Sequence, residues 1–418
     1  MDVLLIALGS HGDVHPFVGI GLALRARGHR VRIVANPFFA SLIEQSGLEF
    51  LPVGAESDYR LMAADPAFWR RLGGTRAVMP WVAKSIRPVY ELVKQHATPG
   101  ETVVGASSLG LGARVAQDHL HIPTATIHLQ PSIIMSAIEP PMLGGIGTPK
   151  WFPMWLRRAE LAAVDRVCDP LIAPALNSLR RELGLTPVAR VMTQYLHSPQ
   201  RVIGVFPPWF APPLSDWPAQ VWLTNFPLFD EHGITPLPGD LLHFLDAGDA
   251  PIAFTPGSAM WTGHRFFAES ARACQLLGRR GLLLSRHADH IPRLLPPGVL
   301  HVPYAPFSQL LPRCAVIVHH CGIGTSAQAM RAGIPQLLTP FAHDQHDNAS
   351  RLMRLGVARK LEPRAYRAGA IAAILNELLG SEAIRVRCWD VARRFDDPDP
   401  LRRTCELLEN LSHPRITV

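Results

Sequence analysis

The sequence contains no apolar run of the about 20 residues that a membrane-spanning helix needs. Hydrophobic residues nevertheless make up 48% of its 418 residues and charged residues only 18%, a balance typical of a globular protein with a large core. The first eight residues carry no basic segment ahead of the apolar run, so they do not resemble a signal peptide. We therefore expect a cytoplasmic protein.

Cysteine is scarce, and its spacing does not indicate a metal site. The six cysteines are spread along the chain without a C-x-x-C pair, whereas structural zinc sites take closely spaced ligands. This pattern predicts reduced thiols and no metal centre.

Basic residues exceed acidic ones without forming a nucleic-acid motif. The formal net charge is +7, the arginines are dispersed, and no basic patch is interleaved with aromatic residues. We therefore expect no nucleic-acid partner, because a nucleotide or an anionic membrane surface would account for the charge. Four tryptophans that we place at the surface motivate the hypothesis of peripheral membrane contact. They are Trp69, Trp81, Trp151 and Trp155.

The segment from Ala315 to Asn348 has the pattern of a ligand site. Its apolar start predicts a buried strand that enters a turn carrying Gly322 and Gly324, and a short helix capped by Thr325 follows. Such a turn directs backbone N–H groups and the positive end of a helix dipole at one point, where a phosphate binds. An ordinary strand–helix–strand crossover would explain the glycines alone. The polar run His343 to Asn348 favours the ligand site, because ligands bind at the carboxyl ends of parallel strands.

The N-terminus repeats this pattern without the fingerprint of a dinucleotide site. A strand from Val3 to Leu8 leads into a glycine-containing loop, which we expect to open a helix at about Pro16. The loop lacks a full G-x-G-x-x-G, and Asn36 and Pro37 stand where an acidic ribose ligand belongs. This part of the chain therefore predicts a Rossmann-like half that does not bind a dinucleotide.

The length of the chain predicts two domains. A proline-dense tract ending at Pro218 indicates the boundary, and a strand from Val221 to Asn225 would begin the second domain. In the first domain, the residues from Ala64 to Gln95 read as one helical stretch, and those from Ser136 to Pro153 as a mobile loop that covers an acceptor. The fold class is thus α/β, with two Rossmann-like domains facing each other across a cleft. We assign 1–218 to the first domain, 219–395 to the second, and 396–418 to a helical segment that packs back on the first.

Two motifs resemble a known family. The run HHCGIGTSAQA...AGIPQLLTPFAHDQHDN from His319 resembles the donor-binding signature of family 1 glycosyltransferases of GT-B fold, and GSHGDVHPFVGIGLALRARGHRVRIVAN from Gly9 resembles their acceptor motif. More narrowly, three tracts resemble the rhamnosyltransferases of rhamnolipid synthesis: YLHSPQ from Tyr195, FPPWFAPPLSDWP from Phe206 and NFPLFD from Asn225. The resemblance covers nearly the whole chain. It implies an acceptor-binding first domain and a nucleotide-sugar-binding second domain.

The resemblance implies a set of donor-binding residues. It assigns His320, Gly322, Gly324, Thr325 and Ser326 to the pyrophosphate together with Ser258, Tyr304 to stacking on the base, Gln328 to the ribose, and Asp344 and Gln345 to sugar hydroxyls. For His320 the alternative is a satisfied core histidine. No D-x-D element stands on the donor side, which is consistent with transfer without a metal.

The resemblance also implies a catalytic base in the first loop. His11 aligns with the histidine of plant and macrolide glycosyltransferases, and Asp13 with the aspartate proposed as base in sterol, glycopeptide and rhamnosyl enzymes. In enzymes that use the histidine as base, an aspartate supports its imidazole, and Ser107 occupies that position here. A serine cannot stabilise an imidazolium as a carboxylate does. We therefore choose Asp13 first. Its alternative role is to cap the following helix.

These assignments imply an inverting, metal-independent glycosyltransferase. The expected reaction moves a sugar to a hydroxyl group of a hydrophobic acceptor such as a 3-hydroxyacyl lipid, with L-rhamnose from dTDP-rhamnose as the first choice of sugar and donor. The nucleotide sugar is a co-substrate, and no cofactor is expected. One alternative is a UDP-glucose-dependent enzyme acting on phenols, sterols or polyketides. Another is a sugar-nucleotide-binding subunit without catalytic activity.

Overall fold

A computed structural model describes residues 1–71, 73–257 and 263–411 of the chain. The chain divides into two compact units. The first comprises Met1–Met62, Leu72–Pro227 and the segment from Asp399 on; the second comprises Ala63–Arg71 and Leu228–Pro398. In the described ranges, no helix has both the length and the apolar character that crossing a membrane requires.

A parallel sheet forms the centre of the first unit. Its described strands are β1 (Asp2–Ile6), β2 (Arg30–Ala35), β3 (Glu49–Pro52), β4 (Thr102–Ser107), β5 (Thr124–His128), β6 (Arg201–Gly204) and β7 (Val221–Leu223). They lie in the order β3-β2-β1-β4-β5-β6-β7. The central strand β1 is an almost unbroken apolar run, as expected of a strand covered on both faces, and Val3, Leu4 and Leu5 are fully buried.

Helices cover this sheet. They are α1 (His11–Ala26), α2 (Ala40–Gln45), α3 (Glu56–Ala64), α4 (Gly74–His96), α5 (Leu111–Leu120) and α6 (Met154–Glu182). Two predictions need correction. Helix α1 begins at His11 rather than at about Pro16, so the candidate bases lie in its first turn. The single helical stretch predicted from Ala64 is interrupted between α3 and α4, where Pro66 starts a short turn and Gly73 adopts a φ of 101°.

The second unit repeats the parallel α/β arrangement. Its described strands are β8 (Ile252–Thr255), β9 (Gly281–Leu284), β10 (Val299–Val302), β11 (Val316–His319), β12 (Gln336–Leu338) and β13 (Ala358–Lys360), in the order β10-β9-β8-β11-β12-β13. Its helices are α7 (Gly239–Asp246), α8 (His264–Leu277), α9 (Phe307–Leu310), α10 (Ile323–Arg331), α11 (Gln345–Leu355), α12 (Ala368–Gly380) and α13 (Glu382–Ala392).

The division between the units lies further along the chain than the sequence indicated. The strand expected to begin the second domain is β7, and it pairs in parallel with β6 as the edge of the first sheet. The units separate between Pro227 and Leu228 rather than after Pro218. The proline-dense tract therefore precedes the last strand of the first unit instead of marking its end.

The C-terminal helix α14 (Arg402–Glu409) belongs to the first unit, where it contacts α1 and β4. Glu409 accepts hydrogen bonds from Arg27 at 2.6 and 2.8 Å and lies 2.8 Å from His29 Nε2. The Thr404 hydroxyl lies 2.9 Å from that of Thr224. These contacts attach α14 to the end of α1 and to the sheet.

Candidate functional site

In the second unit, the carboxyl ends of β11 and β12 both turn sharply into helices. Cys321, after β11, has a φ of 71°, and His343, after β12, has a φ of 56°. Left-handed backbone costs free energy in residues other than glycine, and such strain concentrates at ligand sites. Asn348 connects the two turns, because its amide donates to the Cys321 carbonyl at 3.0 Å and to the Asp344 carboxylate at 2.6 Å. The two polar clusters predicted from the sequence therefore meet at one edge of the sheet.

Helix α10 presents its N-terminus at this edge. Its first residue is Ile323 and Gly322 is the N-cap, so the prediction that Thr325 caps the helix is wrong. Gly324, Thr325 and Ser326 lie in the first turn, where backbone N–H groups have no partner within the helix. The Ser326 hydroxyl is fully buried and has no hydrogen-bond partner in the described part of the chain. Such a turn is suited to bind an anion.

The imidazole of His320 lies between two glycines. A Cβ atom on Gly257 would come within 2.7 Å of the ring, and one on Gly322 within 2.5 Å of Nε2. Its Nδ1 is buried and lacks a hydrogen-bond partner among the described residues. Burial, helped by the neighbouring His319, lowers the pKa of His320 to about 3. A neutral ring with an unused nitrogen differs from the satisfied core histidine that was the alternative.

His319 has that structural role instead. It is fully buried, its Nδ1 accepts from the Cys321 backbone N–H at 3.2 Å, and its Nε2 lies 2.9 Å from the Gln336 Oε1. These contacts imply the neutral tautomer with the proton on Nε2. Burial lowers its pKa to about 4. His319 therefore supports the strained turn on which His320 is carried.

Asp344 and Gln345 stand at the start of α11, with part of their hydrogen-bonding capacity used by the protein. The Gln345 Oε1 accepts from the backbone N–H groups of Phe341 and Ala342 at 2.7 and 3.1 Å. The Asp344 carboxylate accepts from Asn348, as described above. Gln345 is buried and Asp344 half-buried. The amide thus shapes the turn, while the carboxylate is the more accessible of the two.

Tyr304 and Gln328 lie against the same segment of the second unit. The Tyr304 hydroxyl donates to the Asp230 carbonyl at 2.7 Å, and the Arg286 guanidinium lies 4.4 Å from its ring centre. The Gln328 Nε2 donates to the Leu228 carbonyl at 2.9 Å, whereas its Oε1 is buried without a partner among the described residues. Ser258, the remaining predicted donor residue, lies outside the described residues.

In the first unit, Asp13 is the acidic residue of a helix cap. Its Oδ2 accepts from the backbone N–H of Ser10 at 2.7 Å and from the Ser10 hydroxyl at 3.0 Å. Burial raises the pKa of Asp13, and the hydrogen bonds from Ser10 oppose that rise. The capping role weighed from the sequence is therefore present. It does not by itself exclude a role as base, because a raised pKa makes a carboxylate more basic.

His11 lies two residues before Asp13, in an aromatic environment. Its ring makes edge contacts with Phe38, Phe39 and His15, at centroid distances of 5.5, 5.0 and 5.7 Å. The Ser107 hydroxyl, at the end of the neighbouring strand, accepts from the Leu8 backbone N–H at 3.4 Å. Both candidate bases thus lie at the carboxyl edge of the first sheet.

Sequence reasoning missed two contributors to the candidate donor site. Gly257 was given no role, and Asn348 was noted only as the end of a polar run. The glycine is required by its φ of 96° and by the ring of His320, which are properties of the folded turn.

Comparison with known proteins agrees with this geometry. The family described as Glycosyltransferase family 28 N-terminal domain matches residues 3–133, and the one described as Erythromycin biosynthesis protein CIII-like, C-terminal domain, matches residues 283–407. The O-mycaminosyltylonolide 6-deoxyallosyltransferase of Streptomyces fradiae is 31% identical over 427 residues, an alignment that covers 100% of this chain and 99% of that protein.

Two solved structures have the same architecture. The glycosyltransferase VinC in complex with DTDP superimposes with a TM-score of 0.71 and 21% identity, over 99% of both chains. The spinosyn rhamnosyltransferase SpnG complexed with thymidine diphosphate superimposes with a TM-score of 0.68 and 20% identity, over 97% of this chain and 100% of that one. At such identities they show the fold, which is the GT-B fold expected from the sequence.

Proposed function

This chain belongs to the glycosyltransferases that carry the family 28 N-terminal and erythromycin CIII-like C-terminal domains, and from that premise we propose that it transfers a 6-deoxyhexose from a dTDP-linked donor. The acceptor is a hydroxyl group of a hydrophobic molecule. The observation that carries the proposal is the first turn of α10, where backbone N–H groups, the buried Ser326 hydroxyl and the neutral His320 meet. The names of the relatives support the donor class, because they refer to 6-deoxyallose, rhamnose and thymidine diphosphate.

The role of this turn is to stabilise the diphosphate as it leaves the sugar. Negative charge grows on the leaving oxygen as the bond to the sugar breaks, and fixed donors aimed at that charge lower the barrier. The backbone N–H groups after Gly322 and the hydroxyl of Ser326 are such donors. His320 is neutral at pH 7, so it contributes an N–H and no full charge. No resident cofactor or metal enters this scheme.

Gln328 supports thymidine rather than uridine in the donor. Its Nε2 is occupied by the Leu228 carbonyl, which leaves the buried Oε1 to accept one hydroxyl group. A deoxyribose offers only its 3′-hydroxyl, whereas a ribose offers a neighbouring pair that suits the two oxygens of a carboxylate. We therefore expect Gln328→Glu to shift the ratio of affinities for dTDP and UDP toward UDP, as measured by calorimetry. An unchanged ratio would count against this role of Gln328.

L-Rhamnose remains our first choice of sugar. A 6-deoxy sugar has a methyl group in place of the C6 hydroxyl, so it needs fewer polar partners than glucose, and Asp344 is the accessible carboxylate for its ring hydroxyls. Turnover of purified protein should be compared across dTDP-rhamnose, other dTDP-6-deoxyhexoses and UDP-glucose. A strong preference for UDP-glucose would favour the alternative, a glucosyltransferase of phenols, sterols or polyketides.

The first turn of α1 supplies the base for the acceptor. A hydroxyl group of high pKa loses its proton only as the new bond forms, so the base must stand beside it. Asp13 is our first choice and His11 the second. The partly exposed ring of Phe38 beside His11 provides an apolar wall, and the buried ring of Phe39 packs behind it. The alkyl chain of a 3-hydroxyacyl lipid would pack against such a wall. A polyketide acceptor should be compared with this lipid in the same turnover assay.

Binding without catalysis is the alternative from another class. A subunit that only binds sugar nucleotides would retain dTDP in calorimetry and form no product with any donor and acceptor pair. Donor hydrolysis or transfer by the wild-type protein excludes that alternative.

Peripheral membrane contact is a further part of the proposal. Trp151 and Trp155 are 80% and 69% exposed. Arg158 and Lys150 beside them are exposed cations, of which Lys150 pairs with Glu139 at 3.4 Å. Trp69 and Trp81 are only partly exposed, so they contribute less. In sedimentation with anionic vesicles at physiological salt, the wild type should be recovered in the pellet with the vesicles. A Trp151→Ser/Trp155→Ser double variant should stay in the supernatant. Full recovery of the wild type in the supernatant would reject the contact.

A further inference from the structure

A row of three hydrogen-bonding side chains lies in the first unit beyond the residues discussed above. The Ser108 hydroxyl lies 2.8 Å from His128 Nδ1, and His128 Nε2 lies 2.9 Å from His197 Nδ1. Ser108 directly follows β4, and His128 is the last residue of β5. The row therefore begins at the same sheet edge as the first turn of α1 and leads away from it.

Both imidazoles are enclosed by protein. His128 is fully buried and His197 is 5% exposed, and their rings meet edge to face at 5.0 Å. Burial and the neighbouring His197 lower the pKa of His128 well below its usual value. Burial and the cation of Arg114 lower the pKa of His197 to about 4. Both rings are thus neutral at pH 7, and each has one N–H and one accepting nitrogen.

The far end of the row opens into a pocket. His197 lines a solvent-accessible pocket of about 400 Å³ together with Arg114, Gln194, Tyr195 and Gln220. Ser108 at the near end is half-buried. The three side chains therefore connect the sheet edge with a separate opening on the unit.

Such a row can pass a proton without holding a net charge at the end. When Ser108 Oγ receives a proton, its own hydrogen moves to His128 Nδ1. The hydrogen on His128 Nε2 moves to His197 Nδ1, and the hydrogen on His197 Nε2 leaves to water in the pocket. Each atom that gains a proton on one side gives one up on the other, so the balance closes, and both rings end as the opposite tautomer.

We propose that Ser108, His128 and His197 form a proton relay. The base in the first turn of α1 takes the proton from the acceptor hydroxyl and gives it up to Ser108 Oγ, and the relay carries it to the pocket at His197. The inference rests on the proposed function, since each sugar transfer to a hydroxyl group releases one proton. Ser107 stands where the family resemblance implies a carboxylate, and its hydroxyl accepts from the Leu8 backbone N–H. The relay supplies a route for the proton that this serine does not.

Variants at the two ends test the relay. Ser108→Ala and His197→Ala should each lower kcat by about 10- to 100-fold and leave the donor KM unchanged. This loss is no larger than the smallest effects seen when a positioned general acid or base is removed. Ser108→Thr keeps the hydroxyl and should retain kcat. Gln194→Ala, which lines the same pocket without joining the row, is the matched control and should also retain it.

Added imidazole separates a relay from a structural role. It should enter the pocket and restore kcat of His197→Ala in a saturable manner, and it should not restore Ser108→Ala, whose break lies at the other end. Unchanged kcat in both alanine variants would overturn the proposal. So would imidazole that raises the thermal stability of His197→Ala without raising kcat.

A measurement without substrate keeps this test independent of the donor assignment. In protein labelled with ¹⁵N-histidine, Ser108→Ala should shift the ring nitrogens of His197, although the serine bonds only to His128. Ring nitrogens of His197 that do not respond would show that the row is not coupled. Failure of the proposed sugar transfer would appear instead as absence of product with the wild type, while this spectrum could still be read.

Discussion

Gly322→Ala should displace the His320 ring and damage donor binding. The new Cβ would lie 2.5 Å from His320 Nε2, whereas ordinary contact begins near 3.4 Å, so the ring must move by about 1 Å. The backbone itself tolerates alanine, because Gly322 has a φ of −58° and a ψ of 140°. Overpacking of this kind costs about 1–3 kcal/mol in the free energy of unfolding. A 1 Å misplacement at a reacting centre costs about 100-fold in rate.

The assay combines urea unfolding, calorimetry with dTDP, and kcat/KM, with Gly369→Ala as control. Gly369 lies in α12 with open space around the site of a Cβ, so it tests the loss of a glycine without a clash. The variant His320→Ala then isolates the cause. If the clash is responsible, Gly322→Ala in the His320→Ala background should lower the free energy of unfolding only by the amount expected for replacing a glycine N-cap. An equal penalty in both backgrounds would refute the reasoning.

Two further predictions concern the first unit. Hydrogen bonds from Arg27 and His29 lower the pKa of Glu409 from 4.5 to about 2, so its contribution to stability is present above pH 4.5 and is lost as the pH falls toward 2. Thermal unfolding of Glu409→Gln should therefore differ from the wild type at pH 6 and converge with it near pH 2; a constant difference would contradict the assignment. Asp13→Asn can still accept from the Ser10 N–H, whereas Asp13→Ala cannot. If Asp13 is the base, both variants lose turnover but only alanine also lowers the unfolding midpoint; an active Asp13→Asn would transfer the role to His11.

The central parallel strands were predictable because they are apolar runs that are buried on both faces. The strand predicted at the apolar start of the segment from Ala315 is β11, whose four residues are all buried, and the strand predicted from Val3 is β1. The starts of helices were less predictable. The cap of α1 is formed by Ser10 and Asp13, which precede the proline that the prediction used as the helix start. Proline is permitted in a first turn without being its first residue.

The domain boundary shows a different limit. Composition identifies a proline-dense tract, but whether the next strand pairs with the preceding sheet is decided by contacts distant in sequence. Strand β7 has only three residues, Val221–Leu223, and its assignment follows from the pairing with β6. No local pattern contains that information.

The candidate donor site shows how resemblance and geometry complement each other. Resemblance placed His320 and Ser326 at the pyrophosphate from their positions in a motif, and it treated Asp344 and Gln345 as an equivalent pair. The structure separates that pair, since the Gln345 oxygen is already used by two backbone N–H groups. Conversely, His320, Ser326 and Gln328 each retain a buried polar atom without a partner among the described residues. Leaving a buried polar group unsatisfied costs about 1–3 kcal/mol. We propose that a bound nucleotide sugar completes the hydrogen bonding of these three groups. They are not alone in the second unit, because side-chain atoms of Gln336, Thr339, His346 and Asn348 are also buried without a partner among the described residues.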